Sequence, residues 1–230
     1  MNTILITGCN RGIGLEFVKQ YAQDDWQVYA TCRDPKSAQE LQSLSKQYPS
    51  ISIHALDVAN KKEILALAQE LTDVKIDVIL NNAGIYASES SQFGRIDKTV
   101  WLKSIAINTI APLLMAQAFF DQLLSGSQKT IATVSSKVGS IGENSSGGSY
   151  AYRSSKSAVN QVMKCLSIDL APKGIKTVAL HPGWVKTDMG GPNALIDTEE
   201  SVAGMRIVIG QLTQERSGHF IHYDGKSISW

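Results

Sequence analysis

Apolar residues along this chain come in two rhythms. Short, nearly unbroken runs rich in valine and isoleucine read as strands buried on both faces. They lie at Thr3–Thr7, Gln27–Thr31, Ile51–Leu56, Ile76–Leu80, Thr130–Ser135, Lys176–His181 and His219–His222. Longer stretches, in which apolar residues recur every three or four positions, read as amphipathic helices. These are Gly12–Gln23, Lys36–Gln47, Lys61–Leu71, Thr99–Leu124, Tyr150–Leu170 and Glu199–Leu212. Such an alternation predicts parallel strands joined by crossover helices. The expected fold class is α/β, a doubly wound, seven-stranded, mostly parallel sheet with helices on both faces. Sheets of this kind bind ligands beyond the carboxyl ends of their strands, where the strand order reverses. The chemistry should therefore sit just after the strands.

The chain has 230 residues, 43% hydrophobic and 19% charged, which suits one domain spanning residues 1–230 with a sizeable core. A net charge of +1 leaves no field to draw in nucleic acid or an anionic membrane. Three cysteines without a C-x-x-C pair argue against a disulfide framework or a zinc site and for a reducing compartment. No run is read as approaching the ~20 apolar residues of a membrane span. The first apolar run flows directly into a glycine loop, so a cytoplasmic location is expected. His219 and His222 fall on opposite faces of a short strand, and no metal site is expected.

The first predicted strand ends in Thr7-Gly8-Cys9-Asn10-Arg11-Gly12-Ile13-Gly14, which opens the first helix. Glycines permit the tight turn and let the backbone approach a pyrophosphate, which the free N–H groups of a helix N-terminus attract. The second strand ends Cys32-Arg33-Asp34. An acidic residue at its tip would bind the ribose hydroxyls of NAD and repel a 2′-phosphate. Cys32 stands there instead, and Arg33 and Arg11 can clamp a phosphate by charge-assisted bonds. NADP(H) is the expected cofactor, with NAD(H) the alternative that Asp34 keeps open. Asp57-Val58 follows the third strand, where a carboxylate can accept from an adenine amino group or simply hold a turn. Asn81-Asn82-Ala83-Gly84 ends the fourth strand with small residues that allow close passage of a ligand, or a plain turn.

Tyr152 and Lys156 stand four apart at the start of a predicted helix and share one face. A phenol titrates near ~10, and an adjacent ammonium lowers that value, so Tyr152 can serve as acid–base with Lys156 as tuner. Ser136 ends the fifth strand, where its hydroxyl can donate to a developing oxyanion; Ser135 is the competing candidate. Asn108 lies in the long helical stretch four residues before Pro112, which removes a helix hydrogen bond there.

In their order along the chain, these elements resemble the short-chain dehydrogenase/reductase family. The resembling motifs are T-G-x-x-x-G-x-G at Thr7–Gly14, N-N-A-G at Asn81–Gly84, the Ser136 site, Y-x-x-x-K at Tyr152–Lys156 and P-G at Pro182–Gly183. The resemblance implies a single Rossmann domain and a homodimer or homotetramer paired through the long helices. It also implies that Tyr152 donates a proton to a carbonyl oxygen held by Ser136. Lys156 would bind the nicotinamide ribose, Asn108 would anchor a proton relay, and Pro182, Gly183, Trp184, Val185 and Thr187 would line the nicotinamide. A closer likeness, carried by Ser135–Ile141, Gly147–Lys156 and His181–Gly191, is to the subgroup of insect sniffer carbonyl reductases and the bacterial C-factor. Fifteen residues separate Ser136 from Tyr152, more than the commoner family spacing, and the extra ones fall in a glycine–serine loop.

The expected activity is NADP(H)-dependent reduction of a carbonyl, or oxidation of an alcohol, on a small molecule. The alternative is a signalling or regulatory protein of the same fold that uses the dinucleotide as a structural ligand or sensor. The substrate mouth is expected between Ser140–Ser149, the region around Ile85–Phe93 and Asp188–Asp197. That last, short segment suggests an open mouth and small or varied carbonyls.

Overall fold

The computed structural model describes residues 1–86 and 91–230. Its first half runs β1 (Thr3–Thr7), α1 (Gly12–Gln23), β2 (Gln27–Cys32), α2 (Gln39–Gln47), β3 (Ile51–Ala55), α3 (Lys61–Glu70) and β4 (Val78–Asn81). A short antiparallel pair follows, β5 (Ser91–Gln92) and β6 (Arg95–Ile96), then α4 (Lys98–Ile105), a π turn (Ala106–Ile110), α5 (Ala111–Ala118) and α6 (Phe120–Ser125). The chain finishes with β7 (Thr130–Val134), α7 (Tyr150–Asp169), β8 (Lys176–His181), α8 (Thr198–Gly210) and β9 (His219–His222).

The seven long strands form one sheet in the order β3-β2-β1-β4-β7-β8-β9, with every neighbouring pair parallel. The order reverses between β1 and β4, so a crevice opens at the carboxyl ends of these two strands. Alternate residues of each strand feed opposite faces. Ile4 and Ile6 of β1 pack with Phe17 and Val18 of α1, Leu41 of α2 and Met205 of α8. Leu5, one position away, packs with Ile64 of α3, Met115 of α5 and Met163 of α7. Burial on both faces is why the strands read as continuous apolar runs.

Departures from the expected elements have local causes. The fourth strand starts at Val78 rather than Ile76. Asp77 is occupied in tying the sheet's lower edge: its carboxylate accepts from Thr3 N (2.8 Å), Ser127 N (2.7 Å) and Gln128 N (3.1 Å). The second helix starts at Gln39 because Asp34 to Ser37 form a turn, with Asp34 Oδ1 accepting from Lys36 N at 3.1 Å. The long helix expected at Thr99–Leu124 is interrupted twice, by the π turn and at Phe119. Lys98–Ala118, contrary to expectation, is long and apolar enough to cross a membrane by length and composition. Here 44% of its apolar window is buried within the fold, and Thr109 Oγ1 donates to Ser155 O of α7 at 2.8 Å.

Candidate active site

The glycine loop between β1 and α1 cannot tolerate larger residues. Gly8 has φ +74°, and a Cβ built on Gly14 would lie 2.1 Å from the Gly8 carbonyl oxygen. The loop is braced from the next strand. Thr7 Oγ1 accepts from Asn82 N (3.1 Å) and Ala83 N (3.0 Å), while Asn82 Nδ2 donates to the Thr7 and Gly8 carbonyls, both at 3.0 Å. Asn82 was not among the expected cofactor residues, and only the pairing of β1 with β4 reveals this role. Asn81, which was, turns its amide to Thr133 Oγ1 at 3.3 Å and does not line the crevice.

Arg11, the residue before α1, gives the helix no side-chain cap, and the first turn of the helix holds no acidic residue. Its first N–H groups are thus left for an anion. Together with the glycine cradle, this donor set fits the pyrophosphate of a dinucleotide.

The crevice along the strand ends is a cleft of about 1250 Å³. Gly8, Asn10, Arg11, Gly12, Ile13 and Gly14 line one end, with Arg33, Asp57 and Val58 nearby. Ala83, Gly84, Ser136, Tyr152, Lys156, Pro182, Gly183, Trp184, Val185 and Thr187 line the other walls. Cys32 is part of the lining, whereas Asp34, held in its turn, is not. One oxygen of Asp57 accepts from Ala59 N at 2.9 Å, the turn role that residue type alone allowed. Arg11 Nη1 reaches across to Asp188 Oδ2 (2.5 Å), an exposed pair that links the glycine loop to the turn after β8. That turn braces itself: Gly190 N donates to Thr187 Oγ1 (3.1 Å) and Trp184 Nε1 to Gly190 O (2.8 Å).

Tyr152 and Lys156 face the cleft from the first two turns of α7. Lys156 is 5% exposed, donates from Nζ to Val134 O at 2.8 Å, and stands 5.7 Å from the centroid of the Tyr152 ring. Burial pulls its ammonium down to about 8. Burial also pushes the Tyr152 phenol up to about 12, partly opposed by a hydrogen bond with Ser136 and reinforced by the neighbouring Tyr86. The downward tuning expected from Lys156 is not among the causes that act on the phenol here, and desolvation dominates. Both serines reach the cleft, but Ser135 Oγ is spent on Asn160 Oδ1 at 2.6 Å, which leaves Ser136 as the candidate; the Tyr152 hydroxyl itself is directed at Met189 Sδ, 4.0 Å away.

Asn108 stands just behind the lining, buried in the π turn. Pro112 has no N–H for the Asn108 carbonyl four residues back, which favours the wider turn at this point. The Asn108 amide clamps both backbone groups of Ile85: Oδ1 accepts from Ile85 N and Nδ2 donates to Ile85 O, both at 2.9 Å. Nδ2 also donates to Ser155 Oγ at 3.0 Å, and Ser155 Oγ donates to the Tyr152 carbonyl at 2.8 Å.

The mouth differs from expectation. Of Ser140–Ser149, only Ser149 lines the cleft. The rest of the glycine–serine loop is held elsewhere, with Arg153 donating to Gly147 O and Ser146 Oγ and Gly142 N donating to Trp230 O. Ile85, Tyr86, Asp188, Met189 and Gly190 line the cleft from the other two segments, and residues 87–90 of the expected mouth lie outside the described residues. Among the described residues no cluster of histidine, cysteine and carboxylate groups is placed to hold a metal.

Comparison with known proteins agrees with this geometry. The model of the family described as short chain dehydrogenase matches residues 2–195. The chain is 41% identical over 165 residues to the C-signal protein of Myxococcus xanthus, covering 72% of this chain and 99% of that protein. It superposes on the carbonyl reductase Sniffer of D. melanogaster with a TM-score of 0.94 and 37% identity, covering 100% of both chains. It superposes on an NADPH-bound carbonyl reductase from chicken fatty liver with a TM-score of 0.93 and 37% identity, covering 100% of this chain and 99% of that one.

Proposed function

Because the chain belongs to the short chain dehydrogenase family, we propose that it is an NADP(H)-dependent oxidoreductase that reduces a carbonyl, or oxidises an alcohol, on a small molecule. The observation that carries this reading is the convergence of Ser136, Tyr152 and Lys156 on the cleft that the glycine loop also lines. NADP(H) is favoured over NAD(H) because Arg33 lines the cleft beside uncharged Cys32 while Asp34 is taken up in its turn. The NADPH-bound carbonyl reductase among the similar structures supports the same choice.

The glycine loop and the α1 N-terminus would hold the pyrophosphate, Arg33 the 2′-phosphate, and Lys156 the nicotinamide ribose. When bound, the reduced nicotinamide supplies a hydride to the carbonyl carbon. Tyr152 Oη donates a proton to the carbonyl oxygen, and Ser136 Oγ donates a hydrogen bond to that same oxygen as charge develops on it. Lys156, beneath the ring, lowers the cost of the phenolate left behind. Asn108, fixed to Ile85 and Ser155, anchors the route by which the proton is replaced. The open turn at Asp188–Gly190 suits small or varied carbonyl compounds. Assembly as a cytoplasmic homodimer or homotetramer through the long helical stretches, where Leu102 of α4, Ile110 of the π turn and Ile168 of α7 stand exposed, belongs to the same reading.

The test is a panel of aldehydes and ketones with NADPH, comparing the wild type with Tyr152→Phe. Turnover that is lost in the variant, with NADPH affinity retained, supports the proposal. The similarity to the C-signal protein favours a second reading, a regulatory protein that binds the dinucleotide without turnover. NADPH binding with no turnover of any carbonyl would select that reading.

A further inference from the structure

Tyr86 belongs to none of the motifs, yet it packs directly on the proposed proton donor. Its ring packs edge-on against Tyr152, with centroids 4.8 Å apart and planes at 85°. That is the geometry in which the positive edge of one ring meets the negative face of the other.

Both ends of Tyr86 are fixed. The preceding residue, Ile85, has its N–H and its carbonyl bound by the side chain of Asn108. At the other end, the Tyr86 hydroxyl lies 3.2 Å from Ser149 Oγ. Ser149 is the residue on which α7 starts. It sits in the left-handed region (φ 45°, ψ 43°), and its side chain caps none of the helix N–H groups. A non-glycine residue held in that region at a helix start points to a constraint imposed by its surroundings. Here the serine hydroxyl that would ordinarily cap the helix meets Tyr86.

The contacts close a ring: Tyr86 against Tyr152, Tyr152 O to Ser155 Oγ, Ser155 Oγ to Asn108, and Asn108 back to Ile85 beside Tyr86. Within that ring, Tyr86 supplies the contact that bears on the phenol ring itself.

We propose that Tyr86 is a positioning residue for the reaction: its ring, following Ile85 whose backbone Asn108 fixes and packed edge-on against Tyr152, sets the direction of the Tyr152 hydroxyl. The inference rests on the reading of Tyr152 as proton donor. It makes Asn108 a support for the donor's orientation, besides its place in proton supply.

The test compares Tyr86→Ala, Tyr86→Leu and Tyr86→Phe in the full-length enzyme, with NADPH and a carbonyl that the wild type turns over. The measurements are kcat, NADPH affinity by fluorescence titration, and the solvent deuterium isotope effect on kcat. Without the aromatic edge, kcat should fall roughly five- to tenfold, about what an aromatic pair contributes to orientation. NADPH affinity should stay within about twofold, because the contacts of the Tyr86 side chain are to Tyr152 and Ser149 rather than to the glycine loop. The solvent isotope effect should rise, since a wandering donor makes proton transfer more nearly rate-limiting. Phe, which keeps the ring, should restore most of the lost kcat. Leu fills the volume without a ring and should behave as Ala does, which separates orientation from loss of packing.

Wild-type kcat and isotope effect in both Ala and Leu would overturn the inference. A Phe variant as impaired as Ala would also overturn it, by giving the role to the hydroxyl. Tyr152→Phe, run alongside, keeps the two levels apart. If it retains turnover, the reading of the site fails; if it is inactive while the Ala and Leu variants match the wild type, only the role of Tyr86 fails.

Discussion

Lys156 carries an ammonium where a globular fold would ordinarily place an apolar side chain. It is 5% exposed, and burial lowers its pKa from the ordinary lysine value of 10.5 to about 8. At 1.36 kcal/mol per unit, that shift corresponds to about 3 kcal/mol by which the folded state is penalised when the group is charged. Replacing it by Met keeps the aliphatic stem and removes the charge. The exchange also leaves Val134 O without its donor at 2.8 Å, which costs about 1–3 kcal/mol. Lys156→Met should therefore be at least as stable as the wild type at pH 7, with a gain of up to about 2 kcal/mol, while losing activity.

The pH dependence fixes the sign. The folded-state pKa lies below the unfolded one, so between about pH 8 and 10.5 the unfolded chain binds more protons. Wild-type stability should rise with pH across that window, and the penalty is complete below it. The advantage of the Met variant should accordingly shrink as pH climbs from 7 toward 10. Urea unfolding followed by circular dichroism at pH 7 and pH 9.5 measures both effects. At pH 7 the corresponding rise in Tm is up to about 8 °C for a chain of this size. A variant less stable than the wild type at pH 7, or a difference that does not change with pH, would refute the argument.

Arg33→Asp should weaken NADPH binding roughly 10- to 100-fold, the loss of a charge-assisted phosphate contact, and improve NADH relative to NADPH; isothermal titration with each nucleotide checks this. Equal NADPH affinity in the variant would make Arg33 a surface residue. The two adjacent serines should separate cleanly. Ser136→Ala should lower kcat by roughly two orders of magnitude with little change in Tm. Ser135→Ala, which breaks the 2.6 Å bond to Asn160, should cost about 1–2 kcal/mol of stability in a denaturant melt and lower kcat far less.

The central strands were legible because they are buried on both faces, so their apolar runs need no partner to be recognised. The glycine loop and the Tyr152–Lys156 pair were legible because their spacing is itself the chemistry. The bracing of that loop by Asn82 was hidden, since it depends on β4 lying beside β1. Asn81 illustrates the converse: its position one residue earlier directs the side chain to Thr133, inside the sheet. The interruption of the long helix was half visible in Pro112, but the apolar pattern runs unbroken through the π turn. The hairpin Ser91–Ile96 has strands of two residues each and leaves no periodicity to read. Ser140–Ser149 was expected to border the mouth. Arg153, a few residues on, and Trp230, a contact of long sequence separation that a local reading does not reach, hold most of that loop elsewhere. Tyr86 was missed for a similar reason, as a lone aromatic outside any spacing rule.

The most direct test of the account is to supply NADPH deuterated at the transferable position, together with an aldehyde or ketone, and to follow the label by mass spectrometry. The account predicts deuterium on the carbinol carbon of the product with the wild-type enzyme and almost none with Tyr152→Phe, although both bind NADPH. Tight NADPH binding with no label transferred to any carbonyl compound would contradict it.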